Sequence, residues 1–451
     1  MTLLEQYAKR ITVAEKVYSD RHEGKTLSNS RKLLVAQSLD NVNRFLTESF
    51  SNSVGTQRAD LGAYKKFCLN LTNVVVPNLI APELVITKPM TSISGFITYL
   101  EYTLGTNKGE SKRGTVINSP FALGDVDVNY TSSLVVEEVT VGAGGAATLA
   151  WFPIFTKRQD LLPVVVGGES GQEVTIVDEK TGSITISGVS EGEKVKVKYA
   201  YDNVIIPQND LPIINVQMKD IALTAKARRV AVYYSQIAAF QAKTDYGFDL
   251  GDQLAEKAAA ELSYEIDTEV TNLLVENAAE EARLSWSDAR PVGISLAEHY
   301  ESFNRVIERA KRIIYDRTKR FMPNYMLAAS DVMEILPFLK GFKAAPVSSM
   351  NGPFFAGTLN GIKVFVTPNI EEGTFVLGVN GDDLMSSAAV YAPYMPIVPT
   401  QLLGYADGGM SQGWSTMYAL EMLNPLLLAK GHITHEAELS GEIIQTRANN
   451  A

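Results

Sequence analysis

Between Asp249 and Asn277 apolar residues recur at spacings of four and three: Ala255, Ala259, Leu262, Ile266, Val270 and Leu273. That period places them on one face of a helix. Gln253, Lys257, Glu261, Glu265, Thr268 and Asn272 fall on the other face. Asp249 and Asp252 put acceptors and negative charge where a helix start has unpaired N–H groups and a positive dipole end. At about 1.5 Å per residue the element is roughly 40 Å long, more than most globular domains need. A helix of that length is a strut, and the rest of the chain has to be built around it. A long strand-rich stretch runs straight into it near Tyr246.

The chain has 451 residues, too many for a single core, so several modules are expected. Its 45% hydrophobic and 20% charged content is that of an ordinary folded protein. The longest apolar runs, such as Leu423 to Ala429, contain an Asn and a Pro. They fall far short of the ~20 residues a membrane span needs, so no transmembrane helix and no membrane partner are expected. The first residues mix charges throughout and do not read as a secretory signal. A single cysteine, Cys68, leaves no intrachain disulfide and no Cys-based zinc site to build. The net charge of -10 argues against a chain whose main task is gripping nucleic acid through phosphates.

Along the chain, Leu3 to Tyr18 and Ser28 to Phe50 carry helix patterns, and Ser51 to Thr56 (SNSVGT) reads as a flexible link. This segment has too little apolar surface to fold alone, so it should pack against something else. Ser94 to Leu104 alternates aromatic and β-branched residues with polar ones, a strand signal. It ends in GTNKGESKRGT, read as an exposed loop tip carrying Lys108, Lys112 and Arg113. From about Ser132 to Ile206 six strand-like runs follow at close spacing: LVVEEVTV, ATLAWF, LPVVV, EVTIVD, SITIS and KVKVKYAY. With hairpin chemistry at DEKTG (Asp178 to Gly182), this rhythm predicts a small all-β sandwich. Ile213 to Gln236 is extended again, so the sandwich reads as an insertion between two extended arms. After the strut, Leu296 to Arg317 predicts a second helix with a basic face, Gly352 to Thr367 a hairpin, and Ser387 to Ala392 and Trp414 to Ile433 strands.

The residues that could carry chemistry point elsewhere. Asp125, Asp127 and Asn129 share a strand face, but the Gly and distal Glu of a calcium loop are missing, and they read as a solvated face. His432, His435 and Glu436 lack metal-ligand spacing, and an extended backbone sends the two His to opposite faces. Gly142 to Gly145 is followed by strand where a phosphate loop needs a helix N-terminus. No GxSxG elbow occurs, and four His leave few candidates for a triad. No enzyme activity, cofactor or metal site is expected. The basic face from Arg305 through Arg309, Lys311 and Arg312 to Arg320 is interleaved with Glu308 and Asp316. That pattern reads as a solvated helix forming salt bridges within or between subunits.

Taken in order, these pieces resemble the major capsid proteins of tailed bacteriophages, the HK97-type (Hong Kong 97) fold, in its T-even-like and jumbo-phage branch. The resemblance covers about Asn73 to His435. It rests on VVPNLIAPELVITKPM (Val75 to Met90) leading into the Gly95 to Leu104 strand and the Gly105 to Gly109 tip. It rests also on KTDYGFDLGDQLAEKAAAELSYEIDTEV, NGIKVFVTPN and GWSTMYALEMLNPLLLAKGHI. It implies an α+β fold: an N-terminal arm (1–62), a peripheral domain (63–93, 237–284 and 382–451) with a long spine helix, and an axial domain (285–381). An extended hairpin loop (94–130 outgoing, 207–236 returning) would carry the inserted β-sandwich (131–206).

The function implied is that of a shell subunit, self-assembling into hexamers and pentamers of an icosahedral head around double-stranded DNA. Such a protein is assembled in the host bacterial cytoplasm and resides in the virion. Its expected partners are copies of itself, with scaffold, portal, vertex or decoration proteins, and packaged DNA nearby without specific recognition. Lys108, Lys112, Arg113, Arg305, Arg309 and Arg312 are candidate contacts to an acidic neighbouring subunit. Relatives are trimmed after Glu in a Leu-x-Glu context, which Leu46-Thr47-Glu48 matches, as does Leu3-Leu4-Glu5, making Glu48 the candidate cleavage residue. A rival from the binding class is a phage surface or tail adhesin whose β-module binds a receptor or glycan. An α/β hydrolase or metalloenzyme would require a pocket with convergent polar groups.

Overall fold

A computed structural model describes residues 3–21, 25–51, 68–69, 71–73, 75–77, 79–118, 129–167, 172–203, 211–245, 247, 250–291, 293–345, 352–400, 403–405 and 408–435. The chain resolves into two units, Met1–Ile97 with Ile221–Ala451, and Thr98–Asp220. Of the link expected at SNSVGT only Ser51 is described, and it ends a helix; the rest of the link, Asp125, Asp127, the helix-capping Asp249 and Glu436 lie outside the described residues, as does the side chain of Asp252.

The first unit opens with helices α1 (Leu3–Gln6), α2 (Ala8–Arg21) and α3 (Asn29–Ser51), then a turn of helix α4 (Ala81–Leu84) and strand β1 (Ile86–Thr87). Leu34, Val35, Leu39, Val42 and Leu46 recur at helical spacing along α3 and are buried. They form a core with Met395 and Val398 of the same chain, which is where the apolar surface of the N-terminal segment goes.

The second unit contains most of β2 (Ser94–Leu104), all of β3 (Val116–Asn118), and β4 (Leu134–Thr140), β5 (Ala146–Thr148), β6 (Val164–Val165), β7 (Glu173–Asp178), β8 (Ser183–Ser187) and β9 (Lys194–Ala200). It ends within β10 (Ile214–Thr224). Two three-stranded sheets, β4-β9-β6 and β5-β8-β7, share a core of Val135, Val197, Tyr199, Ile184, Ile186 and Trp151. The alternation of Lys194, Lys196 and Lys198 outward with Val195, Val197 and Tyr199 inward follows from the two-residue repeat of a strand. At the DEKTG turn, Asp178 accepts from the N–H of Lys180 (3.0 Å) and the hydroxyl of Thr181 (2.8 Å). Gly182 there has φ 72°, a left-handed conformation in which a Cβ would stand 2.9 Å from the Leu149 carbonyl oxygen.

The chain re-enters the first unit through β11 (Lys226–Ser235), α5 (Gln236–Asp245), the long helix α6 (Leu250–Asn277), β12 (Trp286–Ser287), α7 (Leu296–Glu301) and α8 (Phe303–Thr318). It then forms β13 (Tyr325–Ala328), β14 (Phe342–Ala344), β15 (Phe354–Leu359), β16 (Ile362–Val366) and β17 (Thr374–Gly378). The last strands are β18 (Ala389–Pro399), β19 (Leu403–Gly404), β20 (Gly409–Met422) and β21 (Leu428–Thr434). One sheet runs β1-β18-β20-β11 with β19 on β20; the other, of seven strands, runs β12-β21-β17-β13-β16-β15-β14. The helix α6 bridges two cores. Ala258, Ala259 and Leu262 pack with Ile397 and Trp414, while Ile266, Val270 and Leu274 join the core under the seven-stranded sheet. Small residues let the sheet carrying Trp414 approach the helix, and larger ones fill the wider space beyond. Leu274 is fully buried and Leu273 only half-buried, because a helical period of 3.6 carries the stripe from Val270 by four residues.

Candidate assembly surfaces

No group of three or more His, Cys, Asp or Glu suited to a metal occurs among the described residues, and no helix there is long and apolar enough to cross a membrane. A cleft of about 480 Å³ lies in the first unit among Arg31, Glu83, Thr87, Lys88, Lys363 and Asn380. Its main charges are spent on each other: Glu83 pairs with Arg31 at 2.6 Å and also with Lys363. Glu83 thereby ties α3 to β16 through α4, a fastening between elements in place of a reacting group.

Within the second unit, β2 and β10 form a long ribbon, with the short β3 on the other edge of β2. The Gly105 N–H donates to the Ile213 carbonyl at 2.7 Å, and the Thr98 hydroxyl to Asp220 at 2.6 Å. These bonds fix an antiparallel register that sets Leu100 opposite Met218 and Tyr102 opposite Val216. On one face the ribbon buries Tyr99, Glu101 and Thr103, and the Glu101 carboxylate is neutralised by Lys219 at 2.5 Å. On the other face Met218 is 73% exposed, Val216 57%, Ile214 48% and Leu100 42%. Four large apolar side chains thus lie in one exposed strip, the kind of patch found at interaction surfaces.

The loop tip beyond the ribbon departs from the sequence reading. Lys108, expected to be an exposed cation available to a neighbour, is 2% exposed. Its ammonium donates to the carbonyls of Asn129 (3.2 Å), Tyr130 (2.9 Å) and Ser132, and lies over the rings of Tyr201 (5.0 Å) and Trp151 (5.6 Å). A buried ammonium needs an acceptor for each of its three N–H bonds, and this cage supplies three. Lys108 therefore pins the tip to the base of the sandwich within its own chain. Its partners stand 21 to 93 positions away, so nothing in the local pattern GTNKGES could reveal them.

The other candidates take varied positions. Lys112 and Arg113 are exposed at the same tip. On α8, Arg305 is exposed, Arg309 donates to the Arg283 carbonyl at 2.6 Å, and Arg312 pairs with Asp316 at 3.3 Å. Lys311 pairs with Glu308 at 2.5 Å and Arg317 with Glu281, so most of the basic face is neutralised within the chain. Glu48 lies near the end of α3 with its side chain outside the described residues.

Two carboxylates with raised pKa, one half-buried and one buried, escaped the sequence reading. Glu137 accepts from the Ala150 N–H (2.8 Å) and the Tyr199 hydroxyl (3.0 Å), and burial raises its pKa despite those bonds. Asp267, in the middle of α6, accepts from the backbone N–H groups of Ile80 and Ala81, each at 3.0 Å. Burial pushes its pKa up to about 7, against the lowering effect of those bonds and of Arg31. Asp267 is the acid of TEV-like polar punctuation in an otherwise apolar stripe, DTEV following Ile266, and its position next to that stripe is the one signal a sequence offers.

A long helix bridging two cores, an insertion of paired sheets, an exposed apolar ribbon face and charges spent on internal ion pairs are what the fold presents. A model of the Gp23 major capsid protein family matches residues 61–450. The chain belongs to that family, and with it to the α+β HK97-type class that its sequence resembles. The major capsid protein of Vibrio phage KVP40 is 26% identical over 225 residues, covering 45% of this chain. The aligned stretch spans only 43% of that relative. Among solved structures, a chain of Microbacterium phage Oxtober96 is 14% identical, with a TM-score of 0.38 over 79% of this chain and 90% of its own. The capsid of Myoviridae phage XM1 is 8% identical, with a TM-score of 0.34 over 70% and 90%.

Proposed function

We propose that this chain is the shell subunit of a tailed-phage head and that its mechanism is self-assembly. Copies join as hexamers and pentamers into an icosahedral wall around double-stranded DNA, built in the bacterial cytoplasm and kept in the virion. The observation that carries this reading beyond family membership is the exposed strip of Leu100, Ile214, Val216 and Met218. Burying such a strip against a second copy takes its apolar area out of water. Lys112, Arg113 and Arg305 then serve as rim charges that orient neighbouring copies, which fits their exposure. The role is structural, with no reaction assigned to any residue. Trimming after Glu48 would remove most of α1 to α3 and uncover the Met395 and Val398 face they occupy. Electron microscopy of the expressed chain tests the reading: hexamers, tubes or shells support it, and a monomer at all concentrations defeats it.

A further inference from the structure

We propose that protonated His435, held between Asp288 and Asp331, is a proton-operated clasp that fixes the end of β21 to its sheet and frees it when the ring loses a proton. The Nδ1 of His435 lies 2.8 Å from Oδ2 of Asp288, and its Nε2 lies 2.8 Å from Oδ2 of Asp331. A neutral imidazole has one N–H and one lone pair, so it can donate to only one of these acceptors. The imidazolium satisfies both, and each bond is then charge-assisted.

The three residues come from separate pieces of chain. Asp288 follows β12, Asp331 sits in the 3₁₀ turn Ser330–Glu334, and His435 follows β21. Strands β12 and β21 run parallel with Trp286 opposite Ile433, and the Asp288 N–H donates to the Thr434 carbonyl at 3.1 Å. On the other side, Asp331 accepts from the Gly373 N–H at 2.8 Å, while the Gly373 carbonyl accepts from Ile433 at 2.7 Å. The clasp therefore closes the end of β21 from both flanks, one residue past the strand.

The charges around the ring make it depend on its proton. Asp288 and Asp331 each bury an Oδ1 with no hydrogen-bond partner, and neither is paired with Lys or Arg among the described residues. Of the other titratable groups, Tyr300 and Glu334 add no positive charge, His299 is turned to the Ser287 carbonyl at 2.9 Å, and His432 of β21 lies against Gly373. Once the ring is neutral, two carboxylates share one donor and repel. Burial lowers the pKa of His435, but the bonds and charges of Asp288 and Asp331 outweigh it and leave it above the ordinary 6.5. A raised histidine pKa gives stability that is complete below 6.5 and lost as pH rises through the folded-state value.

The test is amide hydrogen exchange of β21 in the full chain, corrected for the intrinsic pH dependence of exchange, beside an NMR titration of the His435 ring. Protection at Ile433 to His435 is expected to fall about tenfold as pH rises through the ring's midpoint, the loss of one charge-assisted bond. His435→Gln should exchange at the fast rate at every pH, with no step. A wild type without a step, a step that survives in His435→Gln, or a ring midpoint at or below 6.5 overturns the proposal. Should His435→Gln fail to fold, Asp288→Asn supplies the answer: it removes one anion and must lower the ring's midpoint, and an unmoved midpoint overturns the clasp.

Discussion

The ammonium of Lys108 lies 2.9 Å from the carbonyl oxygen of Tyr130, and the hydroxyl of Tyr130 in turn donates to the carbonyl of Ile213 at 2.8 Å. One lysine thus links the loop tip to the turn before the sandwich, and that turn to the start of β10. The sandwich is held to its ribbon by a cation in a cage.

Replacing that cation with an apolar side chain of similar length takes a donor from three carbonyls: Asn129 keeps the Ser132 N–H at 3.0 Å and Ser132 the Tyr201 hydroxyl at 3.4 Å, while Tyr130 loses its ammonium partner. Lys108→Met is expected to destabilise the unit by about 2–4 kcal/mol, the range for breaking a buried, fully hydrogen-bonded charge. Limited proteolysis of the full chain should then cut within residues 105–132 far faster than in the wild type. Equal protection in the two proteins would show that the cage contributes nothing.

The elements of this fold were legible where the signal is local, and the fastenings were not. The α6 strut, the Ser94–Leu104 strand and the strands of SITIS and KVKVKYA lie where periodicity puts them, because a buried face imposes its repeat on the sequence. ATLAWF and LPVVV read as full strands, yet only Ala146–Thr148 and Val164–Val165 pair, since Trp151 turns into the sandwich core and Pro163 interrupts the ladder. The Lys108 cage, Asp267 and the His435 clasp each join residues far apart in the chain. Their charges look solvated in a sequence because burial is a property of the partner as much as of the residue.

Leu262 is 2% exposed where α6 meets Trp414 and Ile397. Leu262→Ala should destabilise the first unit by roughly 2–5 kcal/mol, the usual loss for a buried leucine with little room to relax. Urea unfolding of the unassembled chain measures it. A loss under about 1 kcal/mol would mean that the strut is not packed as described.

Asp267 makes stability depend on pH in the opposite sense to an ordinary salt-bridged carboxylate. Its pKa is raised from 3.8 to about 7, so its contribution is complete below about 4 and declines as pH rises to about 7. The span corresponds to on the order of 4 kcal/mol between those limits. Asp267→Asn keeps an acceptor for the Ile80 and Ala81 N–H groups without the charge. It should flatten this part of the pH profile and raise the unfolding midpoint at pH 8; a variant as pH-dependent as the wild type over that window would refute the assignment.

Lys112 and Arg113 are exposed at the tip that Lys108 pins, so their charge is free of the structural duty that Lys108 carries. Reversing both to Glu is expected to leave folding within about 0.5 kcal/mol of the wild type and to slow assembly, with a weaker effect at high salt. Light scattering during assembly at low and high ionic strength provides the reading. Normal particles at a normal rate would remove both residues from the set of inter-subunit contacts.

Met218 offers the sharper test of the apolar strip, because it is the most exposed of the four side chains and makes the least contribution to its own unit. A carboxylate at that position stays hydrated in the free chain, so Met218→Asp should fold with its stability changed by no more than about 0.5 kcal/mol. On contact with a second copy the same carboxylate has to lose its water without a partner, at a cost of several kcal/mol per contact. The same penalty recurs at every copy in a ring, so the threshold concentration for assembly should rise by at least about tenfold, since 1.4 kcal/mol already corresponds to that factor. Met218→Leu, which keeps the strip apolar, should assemble normally. Circular dichroism checks the fold and sedimentation the assembly: a folded Met218→Asp protein that still forms particles at the wild-type threshold would place the inter-subunit contact elsewhere on the chain.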